Sequence, residues 1–215
     1  MTTASFTTDT HFETAEENMR FDDELLERLI AKEWESFYRF YVWQQPGITF
    51  THSKECPEEL THLDHANRAT GGGIVFHSPG DIVFSIGIRT DDPSLPKSYK
   101  DKLCVMTKRI TKITESVGIK TEPSKKSGER NLMFCNSYFN PYEREIEGEK
   151  SIAIAMRKFR DVILFQGLIH LKSNRKVPEF YKLEKTFHTY FTNGVEGLLF
   201  NIKELSPAKY LKQLG

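Results

Sequence analysis

A chain of 215 residues, 38% apolar and 28% charged with 16 Phe, has the length and composition of one ordinary domain with a sizeable core, which excludes a wholly disordered, collagen-like or disulfide-dense chain. Formal net charge is zero, yet residues 1–67 carry 14 acidic and 5 basic side chains against 16 and 25 in residues 68–215. That asymmetry fits either solvated faces or a basic region that steers a negatively charged partner. The chain has no apolar run of about 18 residues and no leader-like start. Its three cysteines (Cys56, Cys104, Cys135) lack metal-type spacing. The expectation is a reduced, cytoplasmic protein with no membrane span and no metal site.

Residues 1–12 are Thr-rich and aperiodic, and are expected to form a flexible tail ahead of a single domain over 13–215. From Thr14 the pattern turns helical: Met19, Leu25, Leu26, Leu29 and Ile30 recur at three- and four-residue steps, and Thr14 with Glu17 makes a capping box. The aromatic run Phe37–Trp43 reads as a strand, Gln44–Gly47 as a turn and Ile48–Thr51 as a second strand. Cys56–Leu63 reads as a short helix. Ile74–His77 and Ile82–Ile88 read as strands joined by a tight turn at Ser78–Asp81.

Leu103, Met106, Ile110, Ile113 and Val117 follow helical steps that stop at Gly118. Residues 121–130 form a polar basic loop, and Leu132–Cys135 is a short apolar stretch. Tyr142–Ile146, Ser151–Lys158 and Val162–Leu171 read as strands, with turns at Gly148 and near Arg160. A helical tail is expected from Pro178, with a last helix within 193–213. This order favours an α+β fold, a mixed sheet backed by helices. No RNP-type, zinc-finger or basic-zipper pattern points to nucleic acid.

The strongest chemical signal is Arg68-Ala-Thr-Gly71-Gly72-Gly73-Ile-Val-Phe-His77-Ser-Pro-Gly-Asp. Three consecutive glycines beside a strand let backbone approach a ligand, and their N–H groups can line a concave site. A plain turn is the other reading. The motif is neither a Walker A loop nor a dinucleotide fingerprint.

This segment resembles the signature of the lipoate–protein ligase and octanoyltransferase family. Ala15–Leu26, Arg39–Trp43 and Gly148–Ala155 resemble, in order, that family's first helix, first strand and lysine-bearing segment. The resemblance implies the class II aminoacyl-tRNA synthetase/biotin ligase-like fold. It implies that Gly71, Gly72 and Gly73 wall an acyl pocket flanked by Arg68 and His77. It also implies that Lys150 binds the acyl carbonyl or acyl phosphate, with small residues Ala153 and Ala155 three and five places on. On its own, Lys150 reads as a turn lysine and His77 as a structural histidine. Cys135 on its own reads as a packing residue. The resemblance makes it a nucleophile, because one branch of octanoyltransferases places a Cys seven residues before a Tyr, as Cys135 precedes Tyr142.

The implied activity is transfer of an octanoyl or lipoyl group, by way of a Cys135 thioester, to a lysine of a lipoyl domain. The domain would be that of a 2-oxoacid dehydrogenase or a glycine cleavage H-type protein. Acyl carrier protein is the implied donor, and no cofactor is required. Two alternatives are an ATP- and Mg-dependent lipoate–protein ligase acting through lipoyl-AMP, and a non-catalytic acyl- or carrier-binding module. Lys125, Lys126, Arg157, Lys158, Arg160, Arg175 and Lys176 are candidates for steering an acidic partner. Asn67, Gln166, Ser151 and the pair Thr51-His52 depart from the family pattern.

Overall fold

The first helix, α1 (Ala15–Ile30), starts where the capping box places it. Thr14 Oγ1 accepts from the Glu17 amide at 3.2 Å, and Glu17 Oε2 accepts from the Thr14 amide at 3.3 Å. Asp64 Oδ2 also accepts from the Ala15 amide at 2.7 Å, which sets a carboxylate against the positive end of the helix. The computed structural model describes residues 5–8, 10–116, 119–124, 142–146 and 149–170.

Around α1 the described chain runs β1 (Phe6–Thr8), α1, β2 (Ser36–Val42), β3 (Gly47–Thr51), β4 (Asp64–Arg68), β5 (Val75–His77), β6 (Ile82–Arg89), α2 (Tyr99–Ser116), β7 (Glu122–Pro123), β8 (Arg144–Ile146), β9 (Glu149–Phe159) and β10 (Val162–Ile169). A seven-stranded sheet has the order β1-β2-β6-β10-β9-β8-β7, and a three-stranded sheet the order β4-β3-β5. Parallel pairing occurs at β1/β2 and β3/β4, and the other neighbours are antiparallel, so the fold is a mixed α+β one.

Strand alternation decides which side chains meet. On one face of the large sheet, Phe40, Phe84, Ile86 and Phe165 pack against Met106, Ile110 and Ile113 of α2. On the other face, Phe37 and Leu164 meet Leu25, Leu26 and Leu29 of α1. Tyr41, Val83 and Leu168 meet Met19 of α1 with Ala66 and Val75 of the small sheet. Both faces of the central strands are therefore covered. This is why Val162–Ile169 is a nearly unbroken apolar run, the pattern of a strand buried on both sides.

Four stretches differ from the reading of the sequence, one of them Glu122–Pro123, which lies in the expected polar loop and pairs with Arg144 and Glu145 as β7. Phe6–Thr8, within the expected tail, pair in parallel with Phe37–Arg39, and Phe6 stacks on Trp34 with ring centroids 4.5 Å apart. The short helix expected over 56–63 is a single 3-10 turn, Glu58–Leu60. Asp64–Arg68, read as no element, is an edge strand. Its Asp-His-Ala-Asn-Arg composition shows no alternation because only Ala66 and Arg68 of the five are buried. The helices expected after Pro178, the loop beyond Ser124 and the Leu132–Cys135 stretch lie outside the described residues.

Candidate functional site

The register of the large sheet brings side chains from distant segments into rows. Arg39 of β2 pairs with Ser85 of β6, Ser85 with Gln166 of β10, and Gln166 with Ala155 of β9. The adjacent row runs Tyr41, Val83, Leu168, Ala153. Both rows face α1 and the small sheet. Between these layers lies a cavity of about 420 Å³, the size of a small-molecule pocket (roughly 300–1,000 Å³).

Its walls are mainly apolar: Met19, Val75, Val83, Leu168, Ala153 and Ala155, completed by Tyr99 and Leu103 of α2. Arg68, Gly71, Gly72, Gly73 and His77 contribute from the side of the small sheet. The glycine loop and the two alanines, 80 residues apart in the chain, thus face one space.

The glycine loop is held from several sides. The buried Arg68 guanidinium donates to the carbonyls of Thr49, Gly71 and Gly73, each at 2.8 Å. Arg68 therefore shapes the loop by capturing its carbonyl oxygens. Arg157 Nη1 donates to the Ala69 carbonyl at 3.0 Å, which engages one of the charges read as partner-steering in shaping the loop. Lys158 and Arg160 are exposed, and the other four steering candidates lie outside the described residues. Gly72 has φ 105°, a left-handed conformation that a side chain would strain.

A buried polar network forms the floor beside Ala155. Asp22 Oδ1 pairs with Arg39 Nη1 at 2.5 Å, and its Oδ2 accepts from Ser85 Oγ and from Gln166 Nε2, the latter at 2.8 Å. Gln166 Oε1 accepts from both the amide and the hydroxyl of Thr70. Arg39 also donates to the Asn18 side chain at 2.6 Å and to the Asn18 carbonyl at 2.8 Å. Each charge in this network is thus paired and hydrogen-bonded, the condition under which burial of charge is tolerated.

Sequence reasoning does not mark Asp22, Arg39 and Ser85 as site residues. The signal is present in part. Asp22 sits in the apolar stripe of α1 three residues after Met19, and Arg39 interrupts an aromatic strand.

His77 lies against the Trp43 ring, with centroids 4.0 Å apart and planes 17° apart, and its Nε2 is 2.9 Å from Thr49 Oγ1. Burial, then the charges of His170 and Arg68, push its pKa well below the ordinary imidazole value. Lys150 is buried, and its Nζ is 2.7 Å from Glu143 Oε1. Glu143 is itself part of the cavity wall, so Lys150 reaches the cavity through this carboxylate. Cys135 lies outside the described residues.

The lipoyl protein ligase A/B catalytic domain family matches residues 14–211. The chain belongs to that family. Two curated relatives are a Mycoplasma pneumoniae protein named "probable lipoate-protein ligase A", 24% identical over 92% of this chain, and the octanoyltransferase LipM of Exiguobacterium sp., 21% identical over 75% of it. The chain spans 57% and 63% of the lengths of these two relatives. Among solved structures, a T. acidophilum protein with bound lipoic acid shares the fold. It has a TM-score of 0.60 at 15% identity, over 89% of this chain and 86% of its own. In this member of the lipoyl protein ligase A/B family, the motif residues Arg68, Gly71–Gly73, His77, Ala153 and Ala155 surround one cavity, with Lys150 one contact behind it.

Proposed function

We propose that this protein holds an octanoyl or lipoyl chain in the cavity and transfers it to one lysine of a lipoyl domain, by way of a thioester on Cys135. The observation that carries the reading is the apolar cavity bounded by the glycine loop on one side and, on the other, by Glu143, which is paired with Lys150 behind it. An acyl chain needs an apolar sleeve, and its burial contributes about 0.8 kcal/mol for each CH₂. Its carbonyl needs a positive charge, and Lys150, held one contact behind the wall by Glu143, is the group this reading assigns to it. Cys135 enters from its place seven residues before Tyr142.

The chemistry balances without ATP. The Cys135 thiolate attacks the carbonyl of the octanoyl thioester on acyl carrier protein. A new C–S bond forms, and the carrier leaves as a thiolate that takes up a proton. The acceptor lysine amine then attacks the enzyme thioester. The amide forms, the amine loses a proton, and Cys135 is released as a thiolate. In this reading the Lys150 ammonium turns from Glu143 to the acyl oxygen and stabilises the oxyanion in both steps. The acceptor is the lipoyl domain of a 2-oxoacid dehydrogenase or a glycine cleavage H-type protein.

A second reading is favoured by the name of the M. pneumoniae relative. In it the protein activates lipoate with ATP and Mg as lipoyl-AMP, and Lys150 meets the phosphate.

Intact-mass spectrometry separates the two. The full chain is mixed with octanoyl-acyl carrier protein and an apo lipoyl domain without ATP, beside a Cys135→Ala variant. The transferase reading expects an octanoyl shift on the acceptor and a transient one on the protein, both absent in the variant. Full transfer by Cys135→Ala overturns it. Transfer that requires lipoate and ATP supports the ligase, and no transfer under either condition leaves a binding module.

A further inference from the structure

Gln166 stands alone as a polar side chain in the strand Val-Ile-Leu-Phe-Gln-Gly-Leu-Ile, and it is buried. Its two amide atoms face opposite demands. On one side, Thr70 presents two donors: its backbone N–H at 3.1 Å and its hydroxyl at 2.9 Å from Gln166 Oε1. On the other, Asp22 presents a carboxylate oxygen at 2.8 Å from Gln166 Nε2. An ionised carboxylate only accepts and a backbone N–H only donates, so the group between them must accept on one side and donate on the other. This fixes the amide orientation and excludes an apolar or an anionic side chain.

Thr70 is fully buried and immediately precedes the glycines that wall the cavity. Asp22 is locked in turn by Arg39. Arg68 and Arg157 hold the loop by its carbonyls. Gln166 holds it by an amide N–H and joins it to helix α1.

We propose that Gln166 is a positioning residue: it ties the glycine loop to the Asp22–Arg39 pair and thereby sets the shape of the cavity for its acyl ligand. The second half of this statement rests on the acyl-binding reading above, and the first half does not. The ionisable group in contact with position 166 is Asp22 on α1, whose charge is paired with Arg39 on β2. Ser85 on β6 and Thr70 are neutral, and Met19 Sδ lies 4.0 Å away. A Glu at 166 would be protonated readily beside Asp22. In its protonated form it donates to Asp22 and accepts from Thr70, as Gln does. Its anion repels Asp22.

The test uses the full chain and the variants Gln166→Met and Gln166→Glu. Hydrogen–deuterium exchange is followed at Thr70–Gly73, with β2 and β6 as internal controls for folding. Lipoate binding is measured by calorimetry from acid to alkaline pH. In Gln166→Met, exchange at Thr70–Gly73 is expected to rise about tenfold or more while β2 and β6 hold, because a buried donor has lost its partner, and lipoate binding weakens about tenfold. Gln166→Glu is expected to bind as the parent does at acid pH and to lose affinity as pH rises, whereas the parent changes little. A purely structural contribution would lower the melting temperature without that pH profile. Loop exchange in Gln166→Met equal to that of the parent overturns the proposal. A parent that takes up no lipoate and gains no octanoyl mass from octanoyl-acyl carrier protein, with the exchange difference present, supports the tie to α1 and sinks the acyl-binding reading instead.

Discussion

Glu143 and Lys150 bring a carboxylate oxygen and an ammonium nitrogen to 2.7 Å, with both side chains 4% exposed. Two opposite charges withdrawn from water stabilise one another, and removal of either one takes that attraction away while the other stays buried. Lys150→Met is expected to lower stability by about 3–5 kcal/mol, seen as a fall in the urea midpoint at constant slope. Adding Glu143→Leu removes the buried carboxylate as well and is expected to restore part of that loss. Acyl transfer is expected to be absent from both variants. A double variant that regains both stability and transfer would show that the pair serves the fold alone.

His77 gives the protein a sensitivity to acid with a definite sign. Its folded-state pKa lies below the ordinary 6.5 because it is buried near His170 and Arg68. The unfolded chain therefore binds a proton below about pH 6.5 that the folded chain refuses, so stability increases with pH through this window. The contribution is fully present above about pH 6.5 and is lost as pH falls. In His77→Gln, which keeps a partner for the Thr49 hydroxyl, the melting temperature is expected to fall less steeply on acidification than in the parent. Parallel melting curves for the two proteins across that range would remove His77 as the cause.

Two glycines near the cavity predict opposite outcomes. A Cβ at Gly167 would lie 2.3 Å from Phe84 Cζ and 2.6 Å from the Ala153 carbonyl, within a central strand that cannot move aside. Gly167→Ala is expected to cost about 1–3 kcal/mol by overpacking. A Cβ at Gly71 meets nothing within 4 Å, and Gly71 does not need a left-handed backbone. Gly71→Ala is expected to leave the unfolding midpoint within about 0.5 kcal/mol of the parent and to weaken lipoate binding by narrowing the wall. Chemical denaturation and calorimetry on the two variants check both halves.

Elements with a local signature are legible in the sequence. The capping box Thr14/Glu17, the apolar stripe of α2 and the alternating or continuous apolar strands each declare themselves within a dozen residues, because side-chain period is a property of the helix or strand itself. The resemblance in the glycine motif and the lysine segment names the residues around the cavity. Polar strands carry no such mark. Phe6–Thr8 and Asp64–Arg68 have no apolar alternation, and each is held at a sheet edge by pairing with a distant neighbour.

The helices α1 and α2, the buried strands, the family motif and the odd polar residues in apolar stretches (Asp22, Arg39 and Gln166) are written in the order of the amino acids. That these three meet is a property of the packed fold. Gln166 reaches Thr70 across 96 residues and Asp22 across 144, and Ser85 reaches Asp22 across 63. Such partners are chosen by strand order and register, which close long loops and leave no trace in local periodicity. The same closure turned Arg68 toward the carbonyls of its own glycine loop and set Glu143 between Lys150 and the cavity. A buried charge takes the nearest partner of opposite sign or polarity that the packed chain offers it.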